Sequence, residues 1–385
     1  MAWVESGLGV RLEGSTLLQC LGSFGPDLYV VVKPWDVAGF RIYRSPDNGD
    51  NWELASEKTN LFQSTGAGSS PSMAIDAQGL IHIGYSRIVY ISGNKWVPHY
   101  ATYDITSGVW SEYGAIDTSA ATAEVRCTML HLDPTGNPYI LKAGNWNNQY
   151  FAWRVGGAWT SKGWISANNP PSIVRAGMRS NGEIFYINGN YGWRRDPSTG
   201  VWSGTSLGSV SPQDQSVAAW GGTNPNDIHC AYSSGSALYH LVRSGDTWSA
   251  HHLICSKDQI DPSVTGLNLG SLCISSSDKL RISFMANNYP IVGNRSLYEC
   301  ISDDGGLAWS TPIPIKQADA TWSIGNNVHC YFPSPVEGAA LVCPKTSGSN
   351  YYLFFYRSDD FNYVTRYGPW RTWTVSGEDI PMVVI

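Results

Sequence analysis

The chain is poor in charge and has no strong bias toward one sign. Only 15% of its 385 residues are Asp, Glu, Lys or Arg, the formal net charge is −6, and no basic run reaches five residues. Nucleic acids and anionic membrane surfaces are bound through clustered Lys and Arg. We therefore expect neither of them as a partner.

Long apolar segments are also missing. No stretch approaches about 18 consecutive apolar residues, so we expect no membrane-inserted helix. The first residues, Met1-Ala-Trp-Val-Glu-Ser-Gly, lack the basic and apolar regions of a signal peptide. Two interpretations stay open, a trimmed mature end or synthesis and retention in a cytosol, as for phage structural proteins. The predicted location is extracellular or virion-associated.

The eight cysteines show no CxxC pair and no metal-ligand spacing. Most lie in apolar runs, as Cys230 does between Ile228 and Tyr232. A buried free cysteine behaves as a small hydrophobic residue, and this interpretation is favoured over disulfides. No metal and no cofactor are predicted.

What the chain does contain is glycine and large aromatic residues: 40 Gly, 17 Trp and 21 Tyr. Aromatic residues favour strands and glycines favour tight turns. No segment shows sustained helical periodicity. This composition is typical of an all-β protein.

A repeated unit organises the chain. Apolar strands and turns recur, and each unit ends in a tight turn with a tryptophan, at spacings from 43 to 61 residues. The seven tryptophans are Trp52, Trp110, Trp159, Trp202, Trp248, Trp309 and Trp370. Such spacings are typical of four-stranded propeller blades.

A second marker is a hairpin turn that combines Asp or Asn with Gly between the first two strands of a unit, clearest in residues 75–83 and repeated in 132–139 and 178–184. Such turns join antiparallel strands because Gly and Asn accept positive φ. Looser copies occupy residues 220–228 and 274–280.

We predict one all-β domain over residues 1–385, a seven-bladed β-propeller of four-stranded antiparallel blades. Seven blades are favoured over six, and one ring is favoured over two smaller β-domains. The N-terminal or the C-terminal segment is expected to supply the last strand that closes the ring. The predicted blades are 20–60, 70–115, 124–165, 172–206, 213–254, 268–313 and 326–373.

Two turns share the pattern S-x-D-x-G-x-x-W. Its residues are Ser45, Asp47, Gly49 and Trp52 in the first turn and Ser302, Asp304, Gly306 and Trp309 in the second. Asp and Ser can accept backbone N–H groups there, Gly takes the left-handed conformation, and Trp packs between blades. The pattern resembles the Asp-box (BNR repeat) of the sialidase-like propellers, and it implies a structural role on the outer rim.

Ligands of propellers usually bind at a mouth of the central channel, where loops join each second strand to its third. Several of these loops combine Asn with Trp or Tyr, which can hydrogen-bond sugar hydroxyls and stack on pyranose rings. The alternative is that Asn and Gly are simply common loop residues. The predicted substrate-binding residues are Arg87, Lys142, Trp146, Asn147, Asn190, Trp193, Arg194, Asn288, Tyr289 and Arg295.

Proton-transfer candidates near that mouth are His99, Tyr191, Glu124 and Arg126. Glu124 and Arg126 come just before a first strand, where an acid and a base could face a ligand. Each of the four, taken alone, is also consistent with an ordinary surface or loop residue. His82, His131 and His229 fall within strands and are expected to pack in the sheets.

The resemblance does not extend to a sialidase active site. The family's Arg-Ile-Pro-like signature has its nearest counterpart in Phe40-Arg41-Ile42-Tyr43, where Tyr replaces Pro. Residues 69–76, 79–82, 98–100 and 242–248 are similar to blades of the ulvan lyase-like polysaccharide lyases. The lyase family's catalytic His has no counterpart in residues 67–72, so a lyase would need another base, with an Arg for the uronate carboxylate.

The favoured function is therefore binding of a surface or extracellular polysaccharide or glycan at the channel mouth, for example as a phage receptor-binding or tail component. The alternative is a polysaccharide lyase or glycoside hydrolase that uses the same pocket. A protein-interaction scaffold fits the fold but does not explain the aromatic loops. Homo-oligomerisation and assembly into a virion stay open.

Overall fold

A computed structural model of the chain describes most of the repeated region. The described residues are 3–12, 20–62, 64, 68–69, 71–90, 93–121, 128–133, 135–143, 148–166, 176–178, 183–188, 191–206, 216–220, 227–234, 236–245, 247–275, 278–321, 323–324, 329–331, 340–347 and 350–358.

These residues are almost entirely β-structure, with two single-turn 3₁₀ helices at Thr118–Ala120 and Lys257–Gln259. The strands are β1 Trp3–Leu12, β2 Leu21–Phe24, β3 Asp27–Val32, β4 Phe40–Ser45, β5 Glu53–Lys58, β6 Ser72–Ile75, β7 Leu80–Tyr90, β8 Asn94–Asp104, β9 Trp110–Ala115, β10 Thr128–Leu132, β11 Pro138–Ala143, β12 Asn148–Val155, β13 Ala158–Ser166, β14 Ala176–Met178, β15 Ile184–Asn188, β16 Tyr191–Arg195, β17 Trp202–Ser206, β18 Ser216–Trp220, β19 Ile228–Ser234, β20 Ala237–Ser244, β21 Thr247–Trp248, β22 His252–Ser256, β23 Leu267–Ile274, β24 Leu280–Asn287, β25 Arg295–Ser302, β26 Ile313–Lys316, β27 Ser323–Ile324, β28 His329–Tyr331, β29 Ala340–Ser347 and β30 Asn350–Ser358.

The described strands form seven antiparallel sheets. We number them sheet 1 (β2–β5), sheet 2 (β6–β9), sheet 3 (β10–β13), sheet 4 (β14–β17), sheet 5 (β18–β22), sheet 6 (β23–β26) and sheet 7 (β27–β30 with β1). Sheets 1, 2, 3, 4 and 6 have four strands in chain order. The prediction of an all-β propeller built from four-stranded antiparallel blades is confirmed.

The first and last described strands pair in sheet 7. Strand β1 pairs antiparallel with β30, in a register that runs from Trp3 opposite Ser358 to Leu12 opposite Tyr351. The inner strand β28 of the same sheet contacts β2 of sheet 1, which in turn contacts β6 of sheet 2. The first and last sheets are therefore neighbours, as a closed ring requires.

The hydrophobic core lies between neighbouring sheets. One cluster combines Tyr29 and Phe40 of sheet 1 with Ile81, Ile83 and Tyr85 of sheet 2, all of them buried. Strand side chains alternate between the two faces, so each inner strand contributes to the contact on either side. This alternation is why the strands are nearly continuous apolar runs.

The turn tryptophans join each sheet to the one before it. Trp159 packs edge-on against Tyr100 of sheet 2, with ring centroids 5.4 Å apart, and Trp202 does so against Phe151 of sheet 3 at 5.6 Å. Trp110 instead donates its indole N–H to Ser56 Oγ of sheet 1 at 2.8 Å. The tryptophans that recur in the sequence thus make a recurring contact between each sheet and the sheet before it. Trp370 lies outside the described residues.

The two S-x-D-x-G-x-x-W turns have nearly identical hydrogen bonds. In the second, Ser302 Oγ donates to Asp304 Oδ1 at 2.7 Å and accepts the Gly306 N–H at 2.8 Å. Asp304 Oδ1 also accepts the Ala308 N–H at 2.9 Å, and Trp309 Nε1 donates to the Gly306 carbonyl at 3.1 Å. The first turn repeats each of these contacts around Ser45 and Asp47. Both turns join a third strand to a fourth, on the rim.

The glycine of each turn lies directly on an aromatic ring of the preceding sheet. A Cβ at Gly306, where φ is +95°, would overlap the buried ring of His240, and a Cβ at Gly49 would overlap Phe355. Trp309 contacts His240 edge-on at 5.4 Å and Trp52 contacts Phe355 at 5.2 Å. Glycine is therefore required both by the backbone and by the space available.

The predicted hairpin turns are held by their aspartates. Asp76 Oδ1 accepts the N–H groups of Gln78 and Leu80, while Oδ2 lies 3.0 Å from His82 Nε2. His82 is buried within its strand, as expected for a sheet residue.

Among the described residues, Cys20, Cys230, Cys255, Cys273 and Cys300 are buried and free. In the part of the chain described, no helix is long and apolar enough to cross a membrane.

Candidate binding site at the channel mouth

Two basic residues converge where sheets 1 and 2 meet at the mouth. Lys33 directly follows β3, and Arg87 lies three residues before the end of β7. Tyr29 and Tyr85 belong to the core between these two sheets. Because strand side chains alternate, Lys33 and Arg87 occupy the same side of their strands as these tyrosines. Both residues therefore lie at the end of sheets 1 and 2 where the second strands, β3 and β7, lead toward the third strands.

A line of aromatic rings joins the two strands below this region. The Lys33 ammonium lies 5.6 Å from the ring centroid of Phe62. Phe62 contacts Tyr85 edge-on at 5.7 Å, and Tyr85 contacts the His99 ring at 5.6 Å. Lys33 is only 6% exposed, and burial lowers its pKa to about 8. The ammonium is still mostly protonated at neutral pH.

His99 is held as a neutral imidazole. Its Nδ1 lies 3.0 Å from the Val97 carbonyl, which can only accept, so Nδ1 carries the proton and Nε2 is an acceptor. Burial lowers the pKa of His99 to about 4, and the positive charge of Arg87 acts in the same direction. The ring is 4% exposed. His99 and Arg87, two residues predicted from the sequence, are thus brought together.

The segment that leads into sheet 2 borders Arg87. Gly68 forms a bridge with Arg87, and the Ser69 N–H donates to the Ser86 carbonyl at 2.8 Å. A Cβ at Gly68 would overlap the Phe62 ring, so the close contact between residue 68 and Phe62 requires glycine. The buried Nε of Arg87 makes no hydrogen bond to any residue that the structure describes.

Two aromatic side chains at the same end of sheets 1 and 2 are exposed. Trp35 is 48% exposed, and the guanidinium of Arg11 stacks on its ring at 4.3 Å. Tyr90, the last residue of β7, is 79% exposed. Large aromatic rings left in solvent at one edge of a basic pocket offer flat faces for a ligand.

Lys142, Trp193 and Arg194 are used within the sheets. The Lys142 ammonium is fully buried and donates to the Ala120 carbonyl at 3.1 Å. Trp193 packs against the core between sheets 3 and 4. Arg194 forms an ion pair with the buried Glu183. None of the three lies in the Arg87 cluster.

The predicted residues of sheet 6 order their own loop. Asn288, at φ +62°, donates from Nδ2 to Thr265 Oγ1 at 2.7 Å and accepts the Gly293 N–H at 2.8 Å. The Tyr289 carbonyl accepts from Ser296 Oγ at 2.6 Å, and its ring packs against the core between sheets 5 and 6. Arg295 lies opposite Asn287 in the ladder. These three residues share one loop of the mouth.

Several predictions fall outside the description. Glu124, Arg126, Trp146, Asn147 and Asn190 lie outside the described residues, and Tyr191 is described only as the first residue of β16.

The sequence reasoning missed Lys33, Phe62, Tyr85, Trp35 and Tyr90. The available signal was positional: Lys33-Pro34-Trp35 follows an apolar strand and precedes another, which marks a connection between a second and a third strand. Groups of three or more His, Cys, Asp or Glu able to hold a metal are absent from the described part of the chain.

The described sheets form a β-propeller, and Lys33, Arg87 and two exposed aromatic residues lie at one end of its first two sheets. No family model and no curated protein matches the chain. Among solved structures, the polysaccharide lyase Uly1 matches with a TM-score of 0.53 at 10% identity, over 88% of this chain and 89% of that one.

Two further solved structures match over most of the chain. A chain of the mitotic checkpoint complex matches with a TM-score of 0.52 at 12% identity, covering 91% and 90%. A mutant of the NanB sialidase from Streptococcus pneumoniae matches with a TM-score of 0.46 at 10% identity, covering 92% and 71%. Likeness at such identity concerns the fold, because one fold hosts many functions.

Proposed function

We propose that this protein binds an acidic polysaccharide at the channel mouth between sheets 1 and 2. The observation that carries the proposal is that Lys33 and Arg87 both lie near Phe62. The Lys33 ammonium is 5.6 Å from the Phe62 ring, and Gly68, which bridges to Arg87, packs on the same ring. Charge-assisted hydrogen bonds from such groups to carboxylate or sulfate are short and strong. Partial burial raises their strength, because the local dielectric is lower than that of water.

The exposed rings of Trp35 and Tyr90 support a polymer rather than a single anion. They lie at the same end of sheets 1 and 2 as Lys33 and Arg87, and sugar rings could stack on them. Uly1, which shares the fold, is named as a polysaccharide lyase. The two S-x-D-x-G-x-x-W turns support membership of the Asp-box propellers, many of which act on carbohydrate.

Binding without cleavage is the favoured activity. A general base works best when its pKa lies near the working pH. The pKa of His99 is lowered to about 4, so Nε2 is a weak base. A polysaccharide lyase is the second candidate, favoured by the approach of Tyr85, His99 and Arg87 to one another.

An extracellular or virion-associated location fits this function, as does a receptor-binding role in a phage tail. Both stay predictions, as do the single-domain boundaries 1–385 and any homo-oligomer or virion assembly.

The test compares the affinities of polygalacturonate, which is acidic, and dextran, which is neutral. Arg87→Gln and Lys33→Met should each weaken polygalacturonate binding roughly tenfold, about 1.4 kcal/mol, since each removes a charged contact. Lys58→Gln removes an equal charge from the outer strand of sheet 1, where Lys58 pairs with Glu112, and should leave the affinity unchanged. Equal affinity for all variants, or for both polymers, would contradict the proposal.

The same samples are monitored for unsaturated uronates, by ultraviolet absorbance, and for new reducing ends. No product is expected. Absorbance that rises with the wild type and not with His99→Ala would establish the lyase instead.

A further inference from the structure

A second cleft lies between sheets 1 and 2, at the end opposite the mouth. Its volume is about 510 Å³, and it is lined by the β2–β3 hairpin, the ends of β4 and β8 and the start of β5. A volume of this order suits a small ligand. The Lys33 and Arg87 region plays no part in it.

Three charged side chains line this cleft in a row. Arg44 donates from Nε to Asp27 Oδ2 at 2.5 Å and from Nη1 to Glu53 Oε1 at 3.0 Å. Tyr29 OH lies 3.5 Å from the same Oδ2. These bonds use Nε and Nη1 of Arg44, Oδ2 of Asp27 and Oε1 of Glu53. The Arg44 guanidinium, a donor, therefore lies between the carboxylates of Asp27 and Glu53, which are acceptors.

Asp27 is the buried member of the row, only 4% exposed. Burial raises its pKa even though Arg44 and Tyr29 act in the opposite direction. The bond from Arg44 thus does not fully offset the lost hydration of this carboxyl, and a further donor would stabilise its charged form.

The remaining lining is largely apolar and includes Phe24, Leu54 and Ile105. An anionic ligand would be repelled by Asp27 and Glu53, and a cationic ligand would have to compete with Arg44, which already bonds to both carboxylates. A neutral molecule with hydroxyls on one edge and C–H groups on its faces matches both the polar row and the apolar walls.

We infer that this cleft binds a neutral hexopyranose through two adjacent hydroxyls. One hydroxyl donates to Asp27 Oδ1, and its neighbour accepts from Arg44 Nη2. The apolar side chains contact the ring face. The site is independent of the polysaccharide site proposed at the mouth, so either can fail without the other.

The experiment is saturation-transfer NMR of the full chain with methyl α-D-glucopyranoside, methyl α-D-mannopyranoside and methyl β-D-galactopyranoside. Ala55 is an exposed residue of β5 that lines the cleft, so Ala55→Trp should fill the cleft and abolish the transfer. Thr205→Trp adds the same ring to the exposed outer strand of sheet 4 and should leave the transfer intact.

Asp27→Asn provides a second variant, checked for folding by its thermal transition, and should also lose the transfer because Asn no longer holds the charged row. Polygalacturonate binding at the mouth should persist in Ala55→Trp. Absence of transfer from all three glycosides with the wild type, or transfer that survives Ala55→Trp, would overturn the inference.

Discussion

The contact of Gly306 with His240 makes a sharp prediction about what the S-x-D-x-G-x-x-W turn does. Gly305 and Gly306 both have positive φ, +72° and +95°. A Cβ at Gly305 would meet no atom within 4 Å, whereas a Cβ at Gly306 would overlap the His240 ring. His240 is fully buried. Substitutions at these two adjacent glycines therefore distinguish the cost of placing a side chain at positive φ from the cost of packing it against His240.

Gly305→Ala should destabilise the protein by about 1–2 kcal/mol, the cost of a left-handed alanine. Gly306→Ala carries a similar backbone cost and adds overpacking against a buried ring, about 1–3 kcal/mol more. The predicted difference between the two variants is therefore about 1–3 kcal/mol. It arises at the contact between sheets 5 and 6.

The assay is urea unfolding of each variant, with the double variant Gly306→Ala/His240→Ala. Removing the ring should recover most of the added cost, which a double-mutant cycle measures as a coupling energy between the two sites. Equal stabilities of Gly305→Ala and Gly306→Ala, or a coupling energy near zero, would refute the claim that the glycine is needed for the ring contact.

Two further predictions concern polar groups of the fold. Asp304→Ala should lower the free energy of unfolding in urea by about 1–2 kcal/mol, because it removes the hydrogen bonds that close the turn. The control Asp303→Ala changes a side chain that is 79% exposed and should be near neutral. Equal losses in the two variants would exclude a role of Asp304 in closing the turn. Burial lowers the pKa of His99 to about 4 and that of His240 to about 3, so the unfolded chain binds protons more readily and stability falls as pH drops below about 6.5. For His99 the loss between pH 7 and pH 5 should be about 2 kcal/mol, measured from urea transitions, and His99→Gln should show that much less pH dependence; an unchanged pH profile would count against it.

The propeller was predictable because its signals are local. The hydrogen bonds around Ser302 and Asp304 span eight residues, so the same short pattern forms the same turn wherever it occurs. The hairpin aspartates Asp76 and Asp133 act in the same way, each accepting N–H groups within four residues. Repetition of such turns with a tryptophan predicted the sheets.

The site was predictable only in part. Arg87 was predicted as a charged residue of the mouth and His99 as a proton-transfer group near it, yet Lys33 was not predicted, although it lies at the same end of sheets 1 and 2. Lysine is a residue type that often binds ligands, but the Lys142 ammonium donates to the Ala120 carbonyl in the interior. Residue type and loop position do not reveal whether a charge faces the channel or a carbonyl group.

The sequence by itself determined the all-β class, the repeat and the turn chemistry of this protein, because each depends on interactions within a few residues. Tertiary structure alone decided that β1 pairs with β30, that Gly306 lies on His240, and that Lys33 meets the aromatic line leading to His99. These contacts join residues far apart in the chain, and the physical reason is packing. The closed ring of sheets determines which faces of neighbouring sheets touch. Burial between those faces then determines the charge state of the groups that lie there.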